Sequence, residues 1–302
     1  MKRWLPLTII LLAGVAAIIV AQRSRINTRP GPQAILSAAA DAQHEITRVP
    51  ARLDRLSDED EIAIGDELAA NYETRWKPNT PEQRSFNEVQ TYIQQVGTRV
   101  SAHARRKLPY KFHYIPDPYF VNAFALPGGH VFVGAGLFRL MQSEDALAAV
   151  LGHEVEHIDL RHCAERVQTE RQLRHLGPIG DLISLPVELF TAGYSKDQEL
   201  EADRYGTALA VADHYSPAGI LQLFKEFARL EHEYGDTSAN QPVTPIDEAT
   251  HISLQTLYGY FQSHPPAAQR SQQITTLIQS EHWPKPPLLS LLHREELPSI
   301  RH

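Results

Sequence analysis

Apolar positions along most of the chain are spaced for helices. Ser57 precedes an acidic turn and then apolar positions through Tyr72, which predicts a helix capped by Ser57. Between about residues 81 and 104, a single apolar stripe predicts a second helix. That stripe consists of Val89, Ile93, Val96 and Val100. The same spacing predicts helices over 143–167, 196–212, 217–234 and 266–280.

One region between these helices has the alternation of strands. Residues 111–115 alternate in this way, and residues 120–135 hold β-branched and aromatic residues around Pro127, Gly128 and Gly129. The second pattern is typical of a strand, a turn and another strand. Residues 176–194 are interrupted by glycine and proline, which predicts a loop or short hairpin. Together the patterns predict a mainly helical α+β fold with a small sheet.

The first residues of the chain form a long uncharged run. It extends from Trp4 to Gln22, 19 residues, with Lys2 and Arg3 before it and Arg23 after it. Two interpretations fit this length: an uncleaved signal anchor, or a secretory signal cut after Ala21. Either one predicts a cell-envelope protein with a periplasmic body, anchored in the membrane or secreted.

The pattern divides the chain into four parts. Residues 1–22 form the anchor or signal peptide, and the proline-containing residues 23–54 form a linker. Residues 55–282 form the main domain. Residues 283–302, which are rich in proline, form an irregular tail.

Composition narrows the chemistry that this domain can perform. The formal net charge is −7, which argues against a nucleic-acid partner. Cys163 is the single cysteine, so a metal site can draw only on the 15 histidines and on carboxylates. We therefore interpret Cys163 as a small buried residue.

The strongest chemical signal is an HExxH motif in the predicted helix 143–167. His153 and His157 are four residues apart, so both imidazoles lie on one helix face and can bind one zinc ion. Glu154 is placed to take a proton from a water that the metal activates. The alternative is a charged helix surface with two solvated histidines.

A zinc site needs a third protein ligand, and we predict Glu199. His162 is five residues past His157 and is expected to face elsewhere on a continuous helix. Glu199 and Asp203 share one face of a later helix, so Asp203 can accept the N–H of a ligand histidine. Other downstream carboxylates that we considered are Glu165, Glu170, Glu188 and Glu201.

Several separated segments resemble one family of zinc metallopeptidases, the HtpX, BepA and Oma type related to the CAAX prenyl endopeptidase. The matching segments are residues 61–69, Asn122 to Gly129, the HExxH motif, Glu199 with Asp203, and Ser263-His264-Pro265 followed by Arg270. The resemblance covers about residues 57 to 280. It implies a zincin-like fold with one Zn²⁺ per chain, held by His153, His157 and Glu199, and with Glu154 as the general base.

The resemblance also implies a place for substrate. An extended peptide would pair with an edge strand, either the one around residues 121–124 or the one after Gly129. The substrate-binding residues are then Asn122, Ala123, Phe124 and Gly129. A simple hairpin with a buried Phe124 is the alternative.

Two further residues are implied as catalytic, His264 and Arg270. His264 would approach the metal, either as an extra ligand in a latent state or as a transition-state stabiliser; otherwise it is a solvated residue at a helix start. Arg270 would pair with a carboxylate of the site or stabilise an oxyanion; otherwise it is a surface arginine.

These signals predict a zinc endopeptidase acting on unfolded or misassembled envelope proteins. The quality-control role follows only from the resemblance. The rival interpretation is a latent or non-catalytic zinc-dependent chaperone or scaffold for membrane-protein assembly. The intact Glu154 argues against the rival, since zinc binding alone does not require that residue.

Overall fold

A computed structural model describes residues 55–73, 83–173, 187–191, 193–234 and 264–293. The predicted segment 1–22, the linker 23–54 and the last residues of the tail, 294–302, lie outside these ranges. Each helix in the described part of the chain is too short or too polar to cross a bilayer.

The first two helices agree with the spacing of apolar residues. Helix α1 covers Asp58–Glu73, and its first turn is capped by the Ser57 hydroxyl, which accepts from the Asp60 amide at 3.0 Å. Helix α2 covers Gln83–Ser101. The four residues of its predicted stripe are all buried, because that face packs against the sheet and against the helix that carries the HExxH motif.

The sheet has three strands, β1 Lys111–Ile115, β2 Ala123–Leu126 and β3 His130–Gly134. Strand β3 lies in the middle, parallel to β1 and antiparallel to β2. The predicted strand–turn–strand arrangement is confirmed, with a 3₁₀ turn at Pro127–Gly129. Of the two candidate edge strands, β2 is an edge. The suggestion that the strand after Gly129 is an edge is wrong, because β3 is paired on both sides.

The two faces of the sheet are covered by different helices. On one face Tyr72 of α1 meets the rings of Phe124 and Phe132 edge-on, each at 5.3 Å between centroids. On the other face Phe112 packs directly over Gly97 of α2. Because side chains alternate along a strand, residues 130 and 132 belong to the α1 face and residues 131 and 133 to the α2 face.

The helix that carries the HExxH motif is shorter than predicted. After a short helix α3, Ala135–Leu140, helix α4 covers Glu144–Asp159 and is capped by Ser143. A new helix, α5, covers His162–Leu173. The prediction of one helix over 143–167 is wrong, because Arg161 adopts a left-handed backbone with φ 66° and the chain turns there.

The remaining elements follow the sequence pattern closely. They are α6 Glu188–Thr191, α7 Lys196–Ala212, α8 Ala218–Tyr234 and α9 Ala267–Ser280. Ser195 and Gln198 form a capping box at the start of α7. Within the segment predicted as a loop or hairpin, the described residues include α6. Residues 284–293 have no helix and a single bridge, Ser143 with Ser290.

Candidate metal centre

Two glycines bring α4 and α7 into close contact. A β-carbon on Gly152 would overlap the backbone of Gly206, and one on Gly206 would overlap the backbone of His153. The helices therefore cross with no side chain between them at this point. Since Gly152 directly precedes His153, the crossing places the HExxH histidines beside the face of α7 that carries Glu199.

The three predicted ligands lie together. The Nε2 atoms of His153 and His157 are 3.1 Å apart. The Glu199 carboxylate approaches them with Oε2 at 3.5 Å from His153 Nε2 and Oε1 at 3.6 Å from His157 Nε2. One ligand atom from each residue lies within 4.8 Å of the other two, and all three residues are buried.

The chemistry of these donors fits a zinc ion. Glu199 is fully buried, yet its Oε2 has no hydrogen-bond partner, which costs free energy unless a cation lies beside it. Two imidazoles and one carboxylate are a known donor set for zinc. Burial alone would lower the pKa of His153, but Asp203 and Glu199 raise it to about 10, so the site favours a positive charge.

Asp203 connects the ligands to α9. It lies 2.9 Å from His153 Nδ1, and the Arg270 guanidinium donates to both of its oxygens, at 2.7 Å and 2.6 Å. Burial would raise the pKa of Asp203, but the Arg270 charge outweighs it and holds the pKa well below its ordinary value. Arg270 is therefore a buried partner of a site carboxylate, one of the roles that its position in the sequence suggested.

Glu154 lies on α4 beside the ligands and is buried. Burial raises the pKa of Glu154 to about 7, and the nearby positive charge of His153 only partly opposes this shift. Glu199 behaves oppositely: burial would raise its pKa, but the charges of His264 and His153 lower it to about 2. The two carboxyls are thus held in different protonation ranges within one site.

His264 lies at the edge of this group. Its Nε2 is 3.4 Å from the unpartnered Oε2 of Glu199, and its ring centroid is 6.0 Å from that of His153. The side chain is only 8% exposed, so a solvated histidine is not what the structure places here. His264 has the position needed to approach a metal at the site.

The sequence did not indicate two further neighbours, His162 and Tyr194. His162 was expected to face elsewhere, but its Nδ1 lies 2.9 Å from His157 Nδ1 because the chain turns at Arg161. The Tyr194 ring stacks on His157 at 4.0 Å, and its amide donates to Glu199 Oε1 at 3.1 Å. For Tyr194, the one available signal was an aromatic residue directly before the capping serine of α7.

The four residues implied as substrate-binding occupy different places. Asn122 and Ala123 lie at the start of β2, where the Asn122 Oδ1 accepts from the Ala123 amide at 2.9 Å. The Phe124 ring points into the core and stacks on Phe132 at 4.9 Å. A β-carbon on Gly129 would lie 2.9 Å from the Pro109 oxygen, so Gly129 packs near β1. All four residues are buried, so none of them presents an exposed side chain to a substrate.

Comparison with models of protein families identifies the family of the chain. Residues 86–278, well over half of the chain, match the family model of peptidase family M48. The chain belongs to peptidase family M48. The resemblance drawn from the motifs is confirmed, and the mainly helical fold with a small sheet is the zincin-like fold expected of an M48 peptidase.

Individual relatives are metallopeptidases as well. The chain is 30% identical to the beta-barrel assembly-enhancing protease of Escherichia coli K12 over 42% of this chain and 30% of that protein. It is 28% identical to the mitochondrial metalloendopeptidase OMA1 of Schizosaccharomyces pombe over 72% of this chain and 63% of that one. It is 29% identical to the metalloprotease LoiP of Escherichia coli K12 over 55% of this chain and 60% of that protein. In each case the match covers less than two thirds of the relative's length.

Proposed function

We propose that this M48 protein is a zinc-dependent endopeptidase. The observation that carries the proposal is the pair of Nε2 atoms 3.1 Å apart on α4 with the unpartnered Glu199 oxygen facing them from α7. Glu154, the next residue after His153, adds the acid–base group that metal binding alone does not need. His153, His157 and Glu199 would hold one Zn²⁺ per chain.

The residues of the chain have separate roles in this proposal. Zinc, when bound, supplies a Lewis acid that polarises the scissile carbonyl and lowers the pKa of water. Glu154 takes the proton of the attacking water and delivers it to the leaving amine. Asp203 accepts the N–H of His153 and so keeps Nε2 of that ring free for the metal, while Arg270 holds Asp203 ionised.

Strand β2 is the proposed place for an extended substrate. The Gly134 amide donates to the Asn122 carbonyl, so by alternation the backbone groups of Ala123 and Ala125 point away from β3, to the outer edge of the sheet, which is buried. The Ala123 amide is bonded by the Asn122 side chain, and the Ala125 carbonyl faces the Cys163 thiol at 3.6 Å. A substrate strand would replace these two weak contacts with main-chain hydrogen bonds.

The cellular role that we propose is quality control of unfolded or misassembled envelope proteins. One relative is named for enhancing beta-barrel assembly, which supports an envelope location. The uncharged run 4–22 supports attachment to the membrane or secretion to the periplasm. Residues 55–282 would then be the catalytic body and 23–54 its linker.

The test compares the full chain, purified in mild detergent, with Glu154→Gln. We expect equal zinc content in both and cleavage of casein by the wild type alone, because the substitution removes the base and keeps the ligands. Equal cleavage by both proteins, or absence of zinc from both, would overturn the proposal.

The position of His264 favours a second candidate state, a latent enzyme. If His264 occupies a coordination position of the metal, wild type and Glu154→Gln would bind equal zinc and neither would cleave casein. His264→Ala would then release activity. If that variant is inactive as well, the protein is a zinc-dependent chaperone or scaffold, the rival that the sequence left open.

A further inference from the structure

A second cluster of ligand-type side chains lies on the other face of the sheet. His113 of β1 and His130 of β3 flank Phe132 on the face that is covered by α1. Glu73, the last residue of α1, and Asp66, two turns earlier, face these rings. The sheet separates this cluster from α4, so it has no part in the function proposed above.

The four side chains form one continuous row of contacts. Glu73 Oε1 is 3.1 Å from His113 Nδ1, and Asp66 Oδ1 is 2.9 Å from His130 Nε2. Between them, His113 Nε2 and His130 Nδ1 are 3.0 Å apart. The two imidazole planes differ by only 8°, and the approach of the two inner nitrogens has the geometry of a hydrogen bond.

When both rings are neutral and each carries its hydrogen on the outer nitrogen, no proton is left between the two inner nitrogens. Placed on its outer nitrogen, the hydrogen of each neutral ring meets a carboxylate: His130 Nε2 is hydrogen-bonded to Asp66, and His113 Nδ1 lies 3.1 Å from Glu73. Both inner nitrogens then carry lone pairs, only 3.0 Å apart. The two Nε2 atoms of His153 and His157 are 3.1 Å apart at the first site, so the two pairs of nitrogens have the same spacing.

The surroundings favour neutral rings with a cation between them. Both imidazoles are largely removed from water, with 16% of the His113 side chain and 5% of the His130 side chain exposed, and an unpaired charge is costly in such a place. Lys111 lies 2.6 Å from Asp66 and compensates one of the two carboxylates. The negative charge of Glu73 would then be compensated by a cation bound beside the two histidines.

We propose that Glu73, His113 and His130 form a second transition-metal site, distinct from the HExxH site. One ligand atom from each of the three lies within 4.8 Å of the others. Imidazole nitrogens with one carboxylate suit zinc better than magnesium or calcium. Asp66 accepts the outer N–H of His130 and so leaves the inner nitrogen of that ring for the metal.

A metal ion here would fasten three elements together. Its ligands come from the end of α1 and from β1 and β3. Helix α1 also packs on the 3₁₀ turn, where Gly128 lies against the backbone of Ile62. The site therefore stabilises the sheet, and its occupancy is measurable without any assay of activity.

The test counts zinc per chain in the full-length protein, in mild detergent with excess free Zn²⁺ and then after dialysis. We expect His113→Gln to bind one zinc fewer than the wild type. The difference between the two proteins decides the question, so the result does not depend on occupancy of the first site. The matched control is His103→Gln, which changes a partly exposed histidine just after the end of α2. It should bind as much zinc as the wild type does.

A variant at the rim covers the case in which His113→Gln does not fold. Glu73 is 39% exposed in its side chain, so Glu73→Gln is tolerated by the fold. We expect it to weaken the second zinc by at least about tenfold in a chelator competition. Equal zinc content and affinity in wild type and Glu73→Gln would overturn the proposal. In that outcome, the inner nitrogens share a proton.

Discussion

At the scale of single residues, Asp203 is a buried carboxylate that has a partner on each side. It accepts from a ligand histidine on one side and from two nitrogens of Arg270 on the other, in a fully buried place. Arg270 also lies 4.5 Å over the Phe224 ring, so its charge has little water around it. Asp203 therefore orients His153, and Arg270 keeps Asp203 ionised.

Asp203→Asn should therefore damage both metal binding and stability. The neutral amide no longer compensates the buried Arg270 charge, and loss of such a partner costs about 3–5 kcal/mol of the free energy of unfolding. Zinc affinity should fall about 10- to 100-fold, because His153 loses the carboxylate that orients it. Urea unfolding and chelator competition measure the two effects. Asp197→Asn, at an exposed position on the same helix, is the control and should change neither.

Cys163 gives a prediction that depends on pH. Burial raises the pKa of this thiol from 9.0 to about 12, while Tyr194 lies 3.2 Å away. A raised thiol pKa disfavours the reactive thiolate in the folded state. The thiolate is the reactive form, so at pH 9 the buried thiol reacts more slowly than the same thiol in an unfolded chain. Labelling by a thiol reagent at pH 9 should be at least about tenfold slower for the native chain than in urea. Rates within tenfold of each other would contradict this burial.

At the scale of elements, the crossing of α4 and α7 determines where the ligands meet. The crossing depends on Gly152 and Gly206, since a β-carbon at either position would enter the backbone of the other helix. Backbone atoms cannot move aside as the end of a flexible side chain can. The separation of the two helices, and with it the distance from Glu199 to the histidines, is therefore set by these two residues.

Gly206→Ala should separate the helices. Alanine improves helix propensity by about 1 kcal/mol, but overpacking at a backbone contact costs about 1–3 kcal/mol, so we expect a net loss of stability. Zinc affinity should fall as well, because Glu199 moves with α7. Ala208→Ser, at a half-buried position on the same helix, is the control. Gly206→Ala that binds zinc as tightly as the wild type would show that the crossing tolerates the added carbon.

Local pattern was enough to predict most elements and the residues that meet at the candidate metal centre. Periodicity located α2 and α7, and the i, i+4 spacing of His153 and His157 placed both rings on one face. Glu199 followed because it shares a face with Asp203. These features depend only on residues that are close in sequence, and local geometry governs them.

Features that depend on distant contacts were not predictable in this way. The turn at Arg161 has a left-handed backbone, but the sequence has no glycine there that would indicate one. The contact of His162 with His157 follows from that turn. Alternation identifies strands but does not order them, so the central place of β3 was left open. The row from Glu73 to Asp66 needs the register of β1 against β3.

At the scale of the whole molecule, the candidate centre ties together segments that are far apart in sequence. Helix α4 supplies two ligands, α7 supplies the third, and α9 supplies the arginine behind Asp203. These helices also pack against one another through the core. Metal bound at this point stabilises the folded chain as a unit, because an unfolded chain does not hold the ligands together.

Removal of zinc should accordingly lower the temperature of unfolding of the whole chain. A ligand at a free concentration about 1,000 times its Kd stabilises the fold by about 4 kcal/mol. For a body of this size that corresponds to a shift on the order of 10 °C. Calorimetry with and without a chelator measures the shift, and zinc but not magnesium should restore the higher value.

Variants show which site produces this effect. Glu154→Gln keeps all three ligands and should show the full shift, and His113→Gln should retain most of it because the first site is intact. His157→Ala should lose most of it. If chelation leaves the unfolding temperature of the wild type unchanged, the ligands are held together by packing alone, and the metal adds chemistry to a centre that is already assembled.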